Sequence, residues 1–285
     1  MKAAPLLVAW HDDNAAIYSA HFEPSGKGRL ATAGGDNNVR LWKIEASGED
    51  RKVSYLSTLV KHTQAVNVVR WSPRGELLAS AGDDGNVLLW VPSETQAHRP
   101  FGEDGLDDKE TWRVKHMCRS LGSEIYDLAW SPDGAFFITG SMDNIARIYN
   151  AQNGQIVRQI AEHSHYVQGV AWDPLNEFVA TQSSDRSVHI YTLKTKDGQF
   201  SLAQHSKVTK MDLPARRVLL FTPAGQYKTL NPGNPDGAKT SDDSINTVYI
   251  YTRAGLNKPP IAYLPGHKKP SIAVYGRQHA PDDIL

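Results

Sequence analysis

The 285-residue chain contains one cysteine, Cys118, which excludes an internal disulfide framework and suits a reducing compartment. No apolar run approaches the roughly 20 residues that a membrane-spanning helix needs, so no membrane partner is expected. The opening Met1-Lys2-Ala3-Ala4-Pro5-Leu6-Leu7-Val8-Ala9-Trp10 is apolar but short and runs straight into His11-Asp12-Asp13-Asn14. It therefore reads as mature sequence and not as a signal peptide. Charge of one sign is also missing: 31 Lys and Arg residues balance 31 Asp and Glu residues. A neutral chain exerts no long-range pull on polyanions, and no direct sequence-specific nucleic-acid binding is expected. Phosphate-binding glycine loops, dinucleotide fingerprints and nucleophile elbows are absent, so no cofactor and no catalytic residue is expected. His163-Ser164-His165 and His116-Met117-Cys118 are isolated pairs with no second pair at ligand spacing, and no metal is expected either.

What is present is repetition. An aromatic, any residue, Pro, any residue, then Gly or Asn recurs as Phe22-Glu23-Pro24-Ser25-Gly26, Trp71-Ser72-Pro73-Arg74-Gly75, Trp130-Ser131-Pro132-Asp133-Gly134, Trp172-Asp173-Pro174-Leu175-Asn176 and Phe221-Thr222-Pro223-Ala224-Gly225. The aromatics stand 49, 59, 42 and 49 residues apart. Each copy reads as a strand end and a tight turn, with Pro fixing φ and Gly or Asn accepting positive φ. Trp71, Trp130 and Trp172 lie 19 residues before Trp90, Tyr149 and Tyr191, and Phe22 lies 20 before Trp42. Between these marks come a small-residue strand, an Asp, and a strand of alternating apolar residues. The second repeat shows this in Leu77-Leu78-Ala79-Ser80-Ala81-Gly82 and Asn86-Val87-Leu88-Leu89-Trp90. Segments such as Tyr55-Leu56-Ser57-Thr58-Leu59-Val60 supply a fourth strand. Four strands in roughly 40–45 residues make a propeller blade, so an all-β fold is predicted.

Leu78-Ala79-Ser80-Ala81-Gly82-Asp83-Asp84-Gly85-Asn86-Val87-Leu88-Leu89-Trp90 resembles the WD repeat, with the name-giving Asp replaced after each closing aromatic by Lys43, Val91, Asn150 or Thr192. The resemblance implies one WD-repeat β-propeller domain over 1–285, with blades at about 11–60, 62–120, 121–162, 163–205 and 206–266. The fifth blade, through Tyr249-Ile250-Tyr251-Thr252, carries a polar insert near 231–244. It also implies a structural hydrogen-bond network in each blade. The second supplies His62, Ser80, Asp84 and Trp90, and the fourth supplies His163, Thr181, Asp185 and Tyr191. The first supplies Thr32, Asp36 and Trp42, with His11 two residues off the aligned position. The third keeps Thr139, Asp143 and Tyr149 but has Leu121 where the histidine aligns, so its network is expected to be incomplete. Ser, His and Asp together invite a hydrolase reading. A single active site would not recur in successive repeats, whereas a buried Asp–His–Ser chain that pins a turn would.

Two longer strings narrow the resemblance. His62-Thr63-Gln64-Ala65-Val66-Asn67-Val68-Val69-Arg70-Trp71-Ser72-Pro73 and Tyr166-Val167-Gln168-Gly169-Val170-Ala171-Trp172-Asp173-Pro174-Leu175 resemble a fungal-like branch of the WD-repeat histone-chaperone family. That family comprises the small WD-repeat subunit of chromatin assembly factor one and its histone-regulator relatives. Pro259-Pro260-Ile261-Ala262-Tyr263-Leu264-Pro265-Gly266-His267 looks closer to the former, and the likeness runs from residue 1 to about 274. It implies a non-catalytic nuclear scaffold subunit of a complex that deposits new histones three and four on DNA in replication- and repair-coupled nucleosome assembly. Its implied partners are the complex's large subunit, histones three and four directly or indirectly, and other histone chaperones. A WD substrate receptor or scaffold of another nuclear complex, such as a ubiquitin ligase adaptor, is the alternative. By alignment of the repeats, partner contacts are expected at Tyr18, Gln64, Asn67, Glu124, Tyr126, Tyr166 and Gln168, joined by Asn37, Asn144 and Arg186 beside the turn aspartates.

The acidic insert with Glu103, Asp104, Asp107, Asp108 and Glu110, followed by Trp112, reads as a solvated loop with a basic partner as the alternative, and Lys268-Lys269 reads as a solvated turn. The ring is expected to be incomplete. Five blades end near residue 265, Ser271-Ile272-Ala273-Val274-Tyr275 would open a sixth, and 267–285 reads as aberrant, as in a fragment, splice form or misjoined reading frame.

Overall fold

A computed structural model describes residues 10–47, 50–94, 108–196, 199–208, 219–221, 226–230, 248–252 and 262–264. The fifth aromatic-Pro turn beyond Phe221, most of the acidic insert, and the stretch 265–285 with its lysine pair lie outside them. The described chain is all-β, and its one helical piece is a 3-10 turn at Asp12–Asn14.

Among the described residues, twenty strands form five antiparallel four-stranded sheets, each built in chain order. The first holds β1 (Ile17–Phe22), β2 (Arg29–Gly34), β3 (Asn38–Ser47) and β4 (Asp50–Val60), and the second β5 (Val66–Trp71), β6 (Leu78–Gly82), β7 (Asn86–Pro92) and β8 (Trp112–Arg119). The third holds β9 (Ile125–Trp130), β10 (Phe136–Ser141), β11 (Ala146–Asn150) and β12 (Ile156–Ile160), and the fourth β13 (Val167–Trp172), β14 (Phe178–Ser183), β15 (Ser187–Lys196) and β16 (Gln199–Val208). The fifth holds β17 (Leu219–Phe221), β18 (Gln226–Leu230), β19 (Val248–Thr252) and β20 (Ala262–Leu264). This repetition of four-stranded meanders is the architecture of propeller blades. The chain divides into two compact units, Met1–Ile125 and Tyr126–Leu285.

The local causes are legible turn by turn. In the aromatic-Pro turns the chain reverses at Gly26, Gly75, Gly134 and Asn176, with φ of +74°, +72°, +73° and +59°. These are the residues for which that region is least costly. A repeated pair of bonds closes each turn: Gly75 N to Ser72 O and Ser72 N to Leu77 O, both 2.8 Å, recur at Ser131 and Asp173. Asp, Ser or Glu at the second position adds a side-chain bond, such as Leu77 N to Ser72 Oγ at 3.0 Å.

Within each unit a core lies between two consecutive sheets. In the first unit β5 packs on β1 and β2, burying Ala31, Ala33, Val39, Leu41, Val66, Val69, Trp71, Leu78, Leu88 and Trp90 together. In the second unit β13 packs on β10, with Ile138, Ile148, Val167, Val170, Trp172, Val179 and Tyr191 in one cluster. Both faces of the middle strands are covered, which explains why Leu78-Ala79-Ser80-Ala81-Gly82 is buried along its whole length. Each large apolar side chain buried here contributes roughly 1.5–3 kcal/mol. Gly82 is required by close approach: a Cβ there would stand 2.0 Å from the Ala65 carbonyl oxygen.

Candidate functional site

The most chemically suggestive residues are the buried His–Ser/Thr–Asp sets. In the second sheet His62 Nδ1 donates to Asp84 Oδ2 at 2.8 Å, and the Ser80 hydroxyl lies 2.8 Å from His62 Nε2. Because ionised Asp84 only accepts, the proton is assigned to Nδ1, and Nε2 accepts from Ser80. Trp90 Nε1 then donates to Ser80 Oγ at 2.8 Å. Asp84 also accepts from Thr63 N and Asn86 N, so one carboxylate ties the loop before β5 to the turn before β7.

The first sheet repeats this. His11 reaches Asp36 at 2.7 Å and Thr32 at 3.0 Å, and Trp42 Nε1 donates to Thr32 at 2.9 Å. The 3-10 turn at Asp12–Asn14 follows His11 and takes up the two-residue offset. In the fourth sheet His163 joins Asp185 at 2.9 Å and Thr181 at 2.8 Å. The Tyr191 hydroxyl lies 3.0 Å from His189 Nδ1 and 3.1 Å from Glu162 Oε2, within a larger cluster. Ser187 bridges Asp185 and His189, and the rings of His163 and His189 stack with centroids 4.1 Å apart.

The third sheet departs. Leu121, where the histidine aligns, takes a left-handed φ of +62° and is 79% exposed. With no imidazole to join them, Thr139 Oγ1 is buried without a hydrogen-bond partner and the Tyr149 ring stacks on Phe137 at 5.0 Å. Asp143 is taken instead by Arg147, a buried guanidinium that also donates to Ser141 at 2.9 Å. The sequence signal for Arg147 was a charged residue inside an alternating apolar strand, at the position of Arg40, Leu88 and His189 in the other sheets.

The electrostatics of these groups follow from their burial and their hydrogen bonds. Burial alone raises Asp84, but hydrogen bonds from His62 and two backbone amides hold its carboxyl below the usual range. Burial opposes Asp185 too, and its bonds from Ser187, His163 and Ser164 N bring it to about 2. Burial lowers His189 to about 3, helped by the charges of His163 and Lys207. His21 is lowered to about 3 by burial and then by Arg70, and its Nδ1 accepts the Trp71 amide at 3.1 Å.

His21 and His189 make folding acid-sensitive at mild pH. The unfolded chain binds a proton on each as pH falls through 6.5, while the folded chain refuses it until about 3. Stability therefore falls as pH drops within that interval and is indifferent to these groups above it. Between pH 7 and pH 5 the expected loss is on the order of 2 kcal/mol per histidine. Urea midpoints measured across this range should decline, and His21→Gln, which keeps an acceptor for the Trp71 amide, should flatten the decline. Equal midpoints at pH 7 and 5 would contradict the assignment.

The residues expected to meet partners share a geometric feature. The register of the first strand slips between Ile17 and Ser19, Val66 and Val68, and Val167 and Gly169. Tyr18, Asn67 and Gln168 are thus the extra residues of three β-bulges, devices that re-aim side chains and recur beside functional sites. Tyr18 is 48% exposed. Asn67 is committed internally: its amide donates to Asp83 Oδ1 at 2.5 Å and to the Ile125 carbonyl at 3.0 Å, tying β5 to the start of β9 and leaving less for a partner. Gln168 buries an Oε1 that has no hydrogen-bond partner. Glu124 and Tyr126 flank Ile125 and are half-buried, Gln64 is exposed, and half-buried Tyr166 meets the His165 ring edge-on at 4.2 Å. Asn37, Asn144 and Arg186 follow the turn aspartates with φ of +66°, +70° and +65°. Sequence alignment found these positions; the bulges have no residue signature and needed the register.

At the end of the acidic insert, Asp108 accepts from Tyr55 Oη at 2.5 Å and from Thr58 N at 3.1 Å. Glu110 accepts twice from Arg29, at 2.6 and 3.1 Å. These two acids anchor the insert to the first sheet and are not a free acidic surface. Glu103, Asp104 and Asp107 lie outside the described residues.

Comparison with known proteins agrees with the repeats. The model of the CAF1B/HIR1 beta-propeller domain matches residues 1–278. The chain belongs to the CAF1B/HIR1 β-propeller family. Among named relatives, the B subunit of chromatin assembly factor 1 from Schizosaccharomyces pombe is 49% identical over 177 residues, 60% of this chain and 34% of that protein. Its Saccharomyces cerevisiae counterpart of the same name is 36% identical over 95% of this chain and 69% of its own length. The Gallus gallus counterpart is 37% identical over 96% of this chain and 51% of its own length. The chain thus spans about a third to two thirds of these relatives. Among the described residues of this member, no group of three or more His, Cys, Asp or Glu side chains is placed to hold a metal ion.

Proposed function

We propose that this chain is a non-catalytic nuclear scaffold subunit of a histone chaperone complex, one that deposits histones three and four during replication- and repair-coupled nucleosome assembly. The observation that carries this reading is the family match along residues 1–278, together with relatives named as a chromatin assembly factor subunit. A scaffold role fits the chemistry of the buried sets. A nucleophile needs a path to substrate. Ser80 is 0% exposed, and its oxygen already receives the Trp90 indole N–H. The same arrangement at Thr32 and a related one at Thr181 argue for fastening.

Partner binding is assigned to the sheet ends that carry the first-strand bulges and the aspartate turns, with Tyr18, Gln64 and Glu124 in the first unit and Tyr126, Tyr166, Gln168, Asn144 and Arg186 in the second. Aromatic and Arg side chains are the usual anchors of such surfaces. The test is affinity purification from nuclear extract with the tagged chain as bait. Co-purification of core histones and a large, highly charged subunit is the expected result, and replacing Tyr126, Tyr166 and Arg186 together should lose that subunit while the fold persists. Recovery of a ubiquitin ligase adaptor in place of histones would overturn the reading. Unchanged recovery by the triple variant would move the contact to another surface.

A further inference from the structure

Two residues before the closing aromatic of each third strand stand Arg40, Leu88, Arg147 and His189. Where this residue is a permanent cation, a carboxylate is bonded to it directly. Arg40 Nη2 meets Asp12 Oδ1 at 2.5 Å, and Arg147 is paired with Asp143. Leu88 carries no charge and needs no such partner. His189 can become a cation, yet its Nδ1 lies 3.8 Å from the half-exposed Glu162 carboxylate, and the two share the Tyr191 hydroxyl.

The protons around His189 are already committed. Asp185 only accepts, and its oxygens receive His163 Nδ1–H at 2.9 Å, Ser164 N–H at 3.0 Å, Ser187 N–H at 2.9 Å and the Ser187 hydroxyl at 2.5 Å. The Ser187 oxygen therefore offers only lone pairs to His189 Nε2, 3.1 Å away, and the proton of that ring is assigned to Nε2. A further proton has two places to go: His163 Nε2, facing Thr181 Oγ1 at 2.8 Å, or His189 Nδ1, facing the Tyr191 hydroxyl at 3.0 Å. The two buried rings stack with centroids 4.1 Å apart and planes 20° from parallel. Protonating both would press like charges together where water does not screen them. The charged groups that act on the pair are Asp185, whose acceptor sites are taken, Glu162, and Lys207, which pairs with His189 across β15 and β16 and opposes a proton on either ring.

We infer that the stacked His163–His189 pair is an acid-sensitive latch: it holds at most one proton where the unfolded chain holds two, and forcing the second on it frees the loop before β13. That loop is held around Asp185. Beside the bonds from His163 and Ser164, the Ser183 hydroxyl donates to His165 O at 2.8 Å and Ser184 N to Tyr166 O at 2.9 Å. An opened loop exposes histidines of ordinary affinity, so below pH 6.5 the opened form binds one more proton than the closed form. Opening then grows by up to about tenfold for each pH unit of acidification and does not depend on this pair above that range. Burial, the charge of His163 and that of Lys207 act in the same direction, holding His189 down to about 3. The second sheet supplies an internal control, with the same fastener at His62, Ser80 and Asp84 but Leu88 in place of the second ring.

The test follows the ring signals of both histidines by NMR in the full chain between about pH 8 and pH 5, with amide hydrogen exchange over the same range. At most one ring of the pair should titrate there. The protection factor of the Ser184 amide should fall at least about fivefold between pH 7 and pH 5. That of the Asp83 amide, which makes the matching bond to Ala65 O in the second sheet, should change by less than half as much. His189→Leu, which copies the second sheet, should keep the His163–Asp185 bond and remove most of the excess fall at Ser184. Titration of both rings above pH 5 in the wild type would overturn the inference, even if the variant fails to fold. Equal falls at Ser184 and Asp83, or an undiminished fall in a folded His189→Leu variant, would also overturn it.

Discussion

Replacing Asp84 by Ala is expected to destabilise the first unit by about 3–4 kcal/mol, a large share of the 5–15 kcal/mol that ordinary domains possess. The carboxylate is 4% exposed and accepts from His62 Nδ1, Thr63 N and Asn86 N at 2.8, 3.2 and 3.0 Å. Its removal leaves the part-buried His62 and Asn86 N–H groups without an acceptor, at about 1–3 kcal/mol each, while the exposed Thr63 N–H turns to water. Asp84→Asn keeps an acceptor oxygen and should cost less than half as much. The carboxyl is held below its ordinary value, so its contribution is present above pH 4 and fades as pH falls through the lowered value. The Ala variant should therefore lose part of the wild-type stability decline below pH 4. Equilibrium urea unfolding at pH 7 and pH 3 measures both effects. A loss under 1 kcal/mol at pH 7 would show that the network is ornamental. A catalytic aspartate, by contrast, would give a variant of undiminished stability.

Two kinds of information separate what could be read in the residues from what could not. The blades were legible because their causes are local. Pro and Gly or Asn at fixed offsets set the aromatic-Pro turns, alternation set the strands, and Asp36, Asp84, Asp143 and Asp185 recur at one step in each repeat. The network members His62, Ser80 and Trp90 stood at aligned positions for the same reason. What escaped depends on register and on substitution between repeats. The bulges at Tyr18, Asn67 and Gln168 arise because each first strand has one more residue than its partner, which no residue type announces. Missing a histidine at Leu121 predicted an incomplete third network, but not that Arg147, four residues on in β11, would capture Asp143 of the preceding turn. Nor did the run of acids before Trp112 reveal that Asp108 and Glu110 are spent on Tyr55, Thr58 and Arg29. Charge patterns in sequence count groups; only the fold says which are already neutralised.

Two of the three tryptophans of the second sheet, Trp71 and Trp90, should respond unequally to the same substitution. Trp71 is 2% exposed, packs among Val66, Val69, Leu78 and Leu88, and meets the Trp112 ring edge-on at 5.6 Å. Trp71→Ala should cost about 3–5 kcal/mol, the range for deleting a large buried aromatic and leaving a cavity. Its indole Nε1, however, is buried with no hydrogen-bond partner. Trp71→Phe keeps most of the apolar volume and deletes that orphaned donor, so the lost packing and the relieved desolvation partly cancel, leaving a net cost under about 1.5 kcal/mol. Trp90 is buried just as deeply, at 3% exposure, but its Nε1 donates to Ser80 Oγ at 2.8 Å. Trp90→Phe loses the same volume together with a buried hydrogen bond in a connected network, and should cost about 2–3 kcal/mol. The ordering Trp71→Ala, then Trp90→Phe, then Trp71→Phe follows from whether each indole nitrogen is used. Urea unfolding monitored by circular dichroism measures all three, and a Trp71→Phe variant less stable than Trp90→Phe would reverse the argument.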